Sequence, residues 1–273
     1  MDDKSYRERV MEWRREREHS LRRENGWLAL AGLFWLEQGK NRAGSDSGCE
    51  VVLPARAPST AGYFDLNGDT VTWSPCDATA ALVSGQIVSP AVLQDDTAAD
   101  PSFISFDDLR MVLIRRGDRL GVRLWDNQRP ERQSRPPRSW YEVSPSFRVA
   151  AEYVSYATPF LSVMPDALGG EPEVPINVCI GFEFAGRAYK LDATREDDGE
   201  VFLRFRDQTA AADTYPSGRY LAAGLQMQSE GVLDFNYAYN PPCAFTPFAT
   251  CLFAPAQNRL GFRVEAGELY PRT

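Results

Sequence analysis

Residues 234–245 read DFNYAYNPPCAF and gather an acid, two carboxamides and a thiol in one short stretch. Read as a strand, its side chains alternate between two faces. Asp234, Asn236, Ala238 and Asn240 then share one face, and Phe235, Tyr237 and Tyr239 the other. Pro241-Pro242 ends the ladder, because proline has no N–H to donate. A row of donors and acceptors at a strand's end suits a small polar ligand. Asp234 is the first candidate for acid–base work, with Glu268 as its alternative and Cys243 as a candidate nucleophile. Arg219 would orient an anionic group, in bidentate fashion if that group is a carboxylate. Asn236, Asn240, Tyr239, Tyr215 and Asp207 complete the expected binding set.

The chemistry left open is narrow. The chain has one histidine, His19, in a charged helical stretch. Ser-His-Asp and Cys-His mechanisms need an imidazole to take the nucleophile's proton, so carboxylates are the main acid–base candidates. Zinc and iron sites also lean on histidine. The sequence contains no G-x-x-x-x-G-K-[ST], no G-x-G-x-x-G after a strand, no G-x-S-x-G and no C-x-x-C, so nucleotide, dinucleotide and α/β-hydrolase readings lack local support. Cys243 and Cys251 form a C-x7-C pair. A metal would want two further ligands, and only Cys179 stands out, so no metal and no cofactor is expected. Cys243 as a nucleophile needs a cation such as Arg219 to lower its pKa. A structural reading stands beside all of this. Asp and Asn near prolines shape turns, and Arg219 would then only neutralise a neighbouring aspartate.

These residues need elements to position them. Tyr6, Val10, Trp13 and Leu21 recur at near-helical spacing and predict a helix over residues 5–25, stopped by Asn25-Gly26. It would lie across the body with Trp13 inward, or, as the minor alternative, serve a homo-oligomer contact. Residues 27–36 are apolar on both alternating faces and read as a strand buried on both sides, or as a short buried helix. Beyond them, short β-prone runs alternate with turn signals about every eight to twelve residues. MVLIRRGDRLGVRLW is a hairpin turning at Gly117-Asp118, and INVCIGFEFAGRAYKLDAT another turning at Ala185-Gly186. The expected fold is mainly β, a barrel- or sandwich-like single domain over residues 1–273 with an N-terminal helix. The Pro/Arg-rich stretch 126–140 reads as a long loop, and residues 207–268 hold the polar cluster.

With 273 residues the chain can bury a substantial core without disulfides. A net charge of −8 argues against nucleic acid and against anionic lipid. The longest apolar run, Trp27–Leu36, is too short to span a membrane. The N-terminus has no apolar core of a signal peptide. Five scattered cysteines, an odd number, fit a reducing compartment, so a cytoplasmic location is expected.

WLALAGLFWLEQGKN, TYPSGRYL, DFNYAYNPPCAFTPFATC, PAQNRL and VEAGE occur in this order. Together they resemble the signature segments of a family known as domain of unknown function 1684, found in bacteria and archaea. The resemblance runs from about residue 10 to residue 268 and departs at Leu252-Phe253, where the family typically has Cys followed by Pro. It implies one compact domain and a cytosolic prokaryotic protein, and it supplies no reaction. The functional expectation therefore rests on the residues. It is a cytosolic enzyme using carboxylate acid–base chemistry on a small polar or anionic metabolite, or else a non-catalytic ligand-binding or structural module.

Overall fold

Helix α1 spans Asp3–Arg22. Tyr6, Val10 and Leu21 of its apolar stripe are buried, and Trp13 is half-buried. The left-handed residue beyond its end is Asn25, at φ 56°. Gly26, expected in that role, has φ −76°. It is needed for another reason: a Cβ there would lie 2.8 Å from the Leu21 carbonyl oxygen. The computed structural model describes residues 3–76, 82–86 and 90–270, and the fold is mainly β, as its turn spacing predicts.

The sequence reads as one domain, whereas its contacts divide the chain into two compact units. One comprises residues 19–135. The other joins the chain from residue 136 onward to the first part of α1, up to Glu18. The boundary falls within the Pro/Arg-rich stretch. No residue from 127 to 135 is buried, so that segment ties into neither core, though it forms one short helix, α2, at Glu131–Ser134.

Among the described residues, 19–135 carry a 3-10 turn, Trp27–Ala29, and ten strands. These are β1 Leu30–Trp35, β2 Gly39–Gly44, β3 Val51–Val52, β4 Gly62–Asn67, β5 Thr70–Pro75, β6 Leu82–Val83, β7 Ala91–Val92, β8 Phe103–Phe106, β9 Leu109–Arg116 and β10 Arg119–Asp126. They make two five-stranded sheets, ordered β1-β10-β9-β8-β6 and β3-β2-β4-β5-β7. Phe64, Trp73, Met111, Val122 and Leu124, drawn from both sheets, share one buried core. The β9–β10 hairpin closes with Arg116 opposite Arg119, as predicted. The run from Trp27 divides between the 3-10 turn and β1. As an edge strand paired only with β10, β1 buries alternate residues rather than both faces.

The other unit holds one six-stranded sheet, ordered β15-β14-β13-β12-β11-β16. Its strands are β11 Arg148–Val163, β12 Glu173–Phe184, β13 Arg187–Arg195, β14 Val201–Phe205, β15 Arg219–Ala223 and β16 Val232–Asp234, and the short helix α3, Leu225–Ser229, precedes β16. The β12–β13 turn puts Ala185 at φ 51° and Gly186 at φ 74°, the mirror-image geometry that matches strand twist. Ile176, Val178, Ile180 and Phe182 alternate inward along β12. The last three meet Leu203, Phe205 and Leu221 in a core capped by Phe235, Ala238, Leu260, Val264 and Ala266. The polar C-terminal region is therefore a lid over this sheet, and its polar groups must be satisfied at depth.

Candidate functional site

Residues 231–240 are not one strand. β16 stops at Asp234, and Phe235–Tyr237 form a 3-10 turn. Asp234 causes the break, because its Oδ1 accepts the Asn236 amide N–H at 3.0 Å and caps the turn. The same oxygen accepts the Asn236 side-chain amide at 2.9 Å, and Oδ2 accepts the Tyr6 hydroxyl at 2.8 Å. Asn236 also donates to the Tyr6 hydroxyl at 2.9 Å, accepts from the Ser144 N–H at 2.9 Å and donates to the Ser144 carbonyl at 2.8 Å.

The remaining candidates separate into three further clusters instead of sharing one face. Arg219 is 1% exposed. It donates to Asp207 Oδ1 at 3.1 Å, to the Val264 carbonyl at 2.9 Å and to the Ala266 carbonyl. Asp207 also accepts the Val264 N–H at 2.7 Å and both donors of Thr209. This pair is the internal neutralisation that the structural reading allowed, and the expectation that Arg219 and Asp207 face a ligand does not hold. Glu268 accepts from Arg138 at 3.0 Å and from the Asn240 amide N–H at 2.9 Å, while the Asn240 side chain donates to the Leu269 carbonyl. Burial is the largest influence on both Glu268 and Arg138, raising the first pKa and lowering the second. Tyr239 pairs its main chain with Tyr220 and stacks its ring under Arg17, at 3.6 Å. Tyr215 and Cys243 lie together beside Cys251.

Gly218 fixes where Arg219 enters its cluster. It has φ +100°, and a Cβ there would collide with the Phe205 carbonyl, which is main chain and cannot swing away. Gly218→Ala is expected to cost on the order of 2 kcal/mol, read as a lower urea midpoint.

Of the expected site residues, Asp234 lines a cleft open to solvent. The cleft holds about 240 Å³ and is lined by Tyr6, Arg9 and Trp13 of α1, Arg148 of β11 and Glu230 beside β16, among others. Arg148 sits directly opposite Asp234 across the β11–β16 pair, its Nε 3.9 Å from Oδ2, and it also pairs with Glu230. Trp13 packs edge-on against Tyr237 at 5.0 Å and Trp140 at 5.6 Å, forming an aromatic wall. An ionised carboxylate has about four acceptor positions. The three bonds to Asp234 leave one, on the Oδ2 side toward Arg148.

Burial raises the Asp234 pKa most strongly, against the lowering effect of Asn236, Tyr6 and Arg148. Burial and the Asp234 charge likewise raise Tyr6, which stays a donor. A carboxyl with a raised folded-state pKa contributes its full stability below its unfolded value of about 4 and loses it as pH rises through the folded value. Asp234→Asn has no such loss. Its urea midpoint is therefore expected to gain on wild type as pH goes from about 4 to about 8. A constant difference across that range would contradict the assignment.

Tyr6 and Arg148 were not among the expected site residues. Tyr6 lies on the apolar stripe of α1 and reads as core, and Arg148 carries no motif. Arg148 stands across from Asp234 in the sheet register, a relation that only strand pairing could reveal.

A family model described as a protein of unknown function, DUF1684, matches residues 138–269. The chain belongs to the DUF1684 family. The match begins well after residue 10, where the resemblance read from the segments starts, but it includes Arg148, Asp234, Cys243 and Glu268. A solution NMR structure of an uncharacterised Haloarcula marismortui protein is 30% identical, with a TM-score of 0.40, over 51% of this chain and 79% of that one. A structure from work on phosphothreonine-dependent FHA domain interactions is 12% identical, with a TM-score of 0.25, over 34% of this DUF1684 chain and 92% of that one. Neither superposition is close enough to carry a structural argument. No curated protein matches the chain.

Proposed function

We propose that this DUF1684 protein is an enzyme that binds a small polar metabolite with an anionic group in the cleft over Asp234 and uses that carboxyl as its acid–base group. The observation behind the reading is the position of Asp234. It is 2% exposed, lines an open cleft, has a pKa raised by burial, and keeps one acceptor position beside a guanidinium. A carboxyl with a raised pKa takes up and returns a proton nearer neutrality than an ordinary one. Arg148 would hold the anionic group by exchanging part of its pairing with Glu230 for the ligand. The cleft is smaller than the roughly 300–1,000 Å³ typical of drug-sized ligands, which favours a small metabolite. Five free thiols support a cytoplasmic setting. Among the described residues no helix is long and apolar enough to cross a membrane.

A second reading has its own support. Asp234 already serves as the cap of the Phe235–Tyr237 turn, a purely structural task, and the cleft would then bind without turnover. Thermal-shift screening against small carboxylates and phosphates, followed by turnover assays on each hit, separates the two. Arg148→Gln is expected to weaken a hit by about 10- to 100-fold, the loss of one charge-assisted hydrogen bond. Unchanged affinity would remove the anion-holding role.

A further inference from the structure

Cys243 and Cys251 take no part in the cleft, and their placement suits a different chemistry. Pro241-Pro242 leads the chain into a 3-10 turn, Pro242–Ala244, which fixes Cys243 on a rigid corner. The Cys243 amide N–H donates to Cys251 Sγ at 3.2 Å, which sets the two cysteines side by side. The Tyr215 hydroxyl neighbours the Cys243 sulfur. Cys243 is half-buried and Cys251 is buried, at 6% exposure.

We propose that Cys243 and Cys251 form a thiol–disulfide exchange site for low-molecular-weight disulfides, with Cys243 as the attacking sulfur and Cys251 as the resolving one. The asymmetry of the pair assigns the roles. The Cys251 thiol, the Tyr215 hydroxyl and the amides of the turn all stabilise negative charge on Cys243 and lower its pKa. The bond to Cys243 and burial raise that of Cys251, which keeps the proton. The thiolate is the nucleophile in such exchange, and it has to be reachable. The residue that is less buried, Cys243, is the one that carries the charge.

In the first step Cys243 thiolate attacks one sulfur of the disulfide. A Cys243 mixed disulfide forms, the S–S bond of the reagent breaks, and one thiolate leaves and takes a proton. Cys251 then gives up its proton and attacks the Cys243 sulfur, closing the Cys243–Cys251 bond and expelling the second thiol. The protein loses two electrons and two protons, and the small disulfide becomes two thiols. Cys251 Sγ already lies 3.2 Å from the Cys243 amide nitrogen, so closure to the ~2.05 Å of a disulfide needs side-chain rotation and little main-chain movement.

The test uses the full chain incubated with oxidised glutathione at neutral pH, quenched in acid, alkylated unfolded and mapped by mass spectrometry. The expected result is a linked pair of Cys243 and Cys251 peptides, with loss of those two alkylatable thiols. Cys251→Ser should stop at glutathione on Cys243, and Cys243→Ser should leave Cys251 alkylated. The proposal is overturned if wild type keeps both thiols while the exposed Cys76 takes up glutathione. It is equally overturned if glutathione accumulates on Cys243 in wild type without closure. Should Cys251→Ser fail to fold, the wild-type map decides alone.

Discussion

Arg219→Ala loses about 3–5 kcal/mol of unfolding free energy, the usual consequence of removing one member of a buried ion pair. The guanidinium is fully enclosed and does not deprotonate in proteins. Its removal leaves Asp207 without its cation and strips donors from the Val264 and Ala266 carbonyls. Asp207 keeps the Val264 N–H and the Thr209 donors, so its carboxylate remains bonded but carries an uncompensated charge. Urea unfolding would register the loss as a large fall in midpoint. The pair Arg219→Met with Asp207→Asn is expected to recover part of it, because the charge is gone while the two carbonyls stay unpaired. A loss below about 1 kcal/mol for Arg219→Ala would mean that water reaches this cluster, and the structural role given to it here would fall.

For Asp234→Asn the larger effect is on rate. Turnover of a ligand found by the cleft screen is expected to fall about 10²–10⁴-fold, the range for loss of a positioned acid–base group, while affinity changes less than about tenfold. The carboxamide keeps the size of the carboxyl and can still accept from the turn. The proton-transfer function is what disappears. Wild-type activity in which Asp234 acts as a base should rise as pH passes through its raised pKa, and the variant should lose that limb of the profile. Equal turnover by variant and wild type would leave the non-catalytic reading in place.

The elements governed by local rules were legible in the chain. The helix follows from the spacing of Tyr6, Val10 and Leu21, and both hairpins from residues that accept positive φ at their turns. The strand drawn through Asn240 failed because alternation cannot see a side chain that competes with the ladder, and Asp234 capping its own turn is such a case. Arg219 was misread for a related reason. A buried guanidinium and one awaiting an anion look alike in sequence, and the nearby Asp207 was the available hint. The cleft itself was out of reach, because Tyr6 and Arg148 join Asp234 only through long-range pairing.

Helix α1 contributes Tyr6 to a carboxyl 228 positions further along the chain. During synthesis that phenol leaves the ribosome long before its acceptor does. Residues 19–135 complete their own strands in the interval, so the compact unit in the middle can fold while the one that flanks it waits for both of its parts. A chain lacking the first part of α1 would reach the same later strands with a naked acid at their margin, and chaperone dependence should concentrate while the flanking unit assembles rather than while residues 19–135 fold.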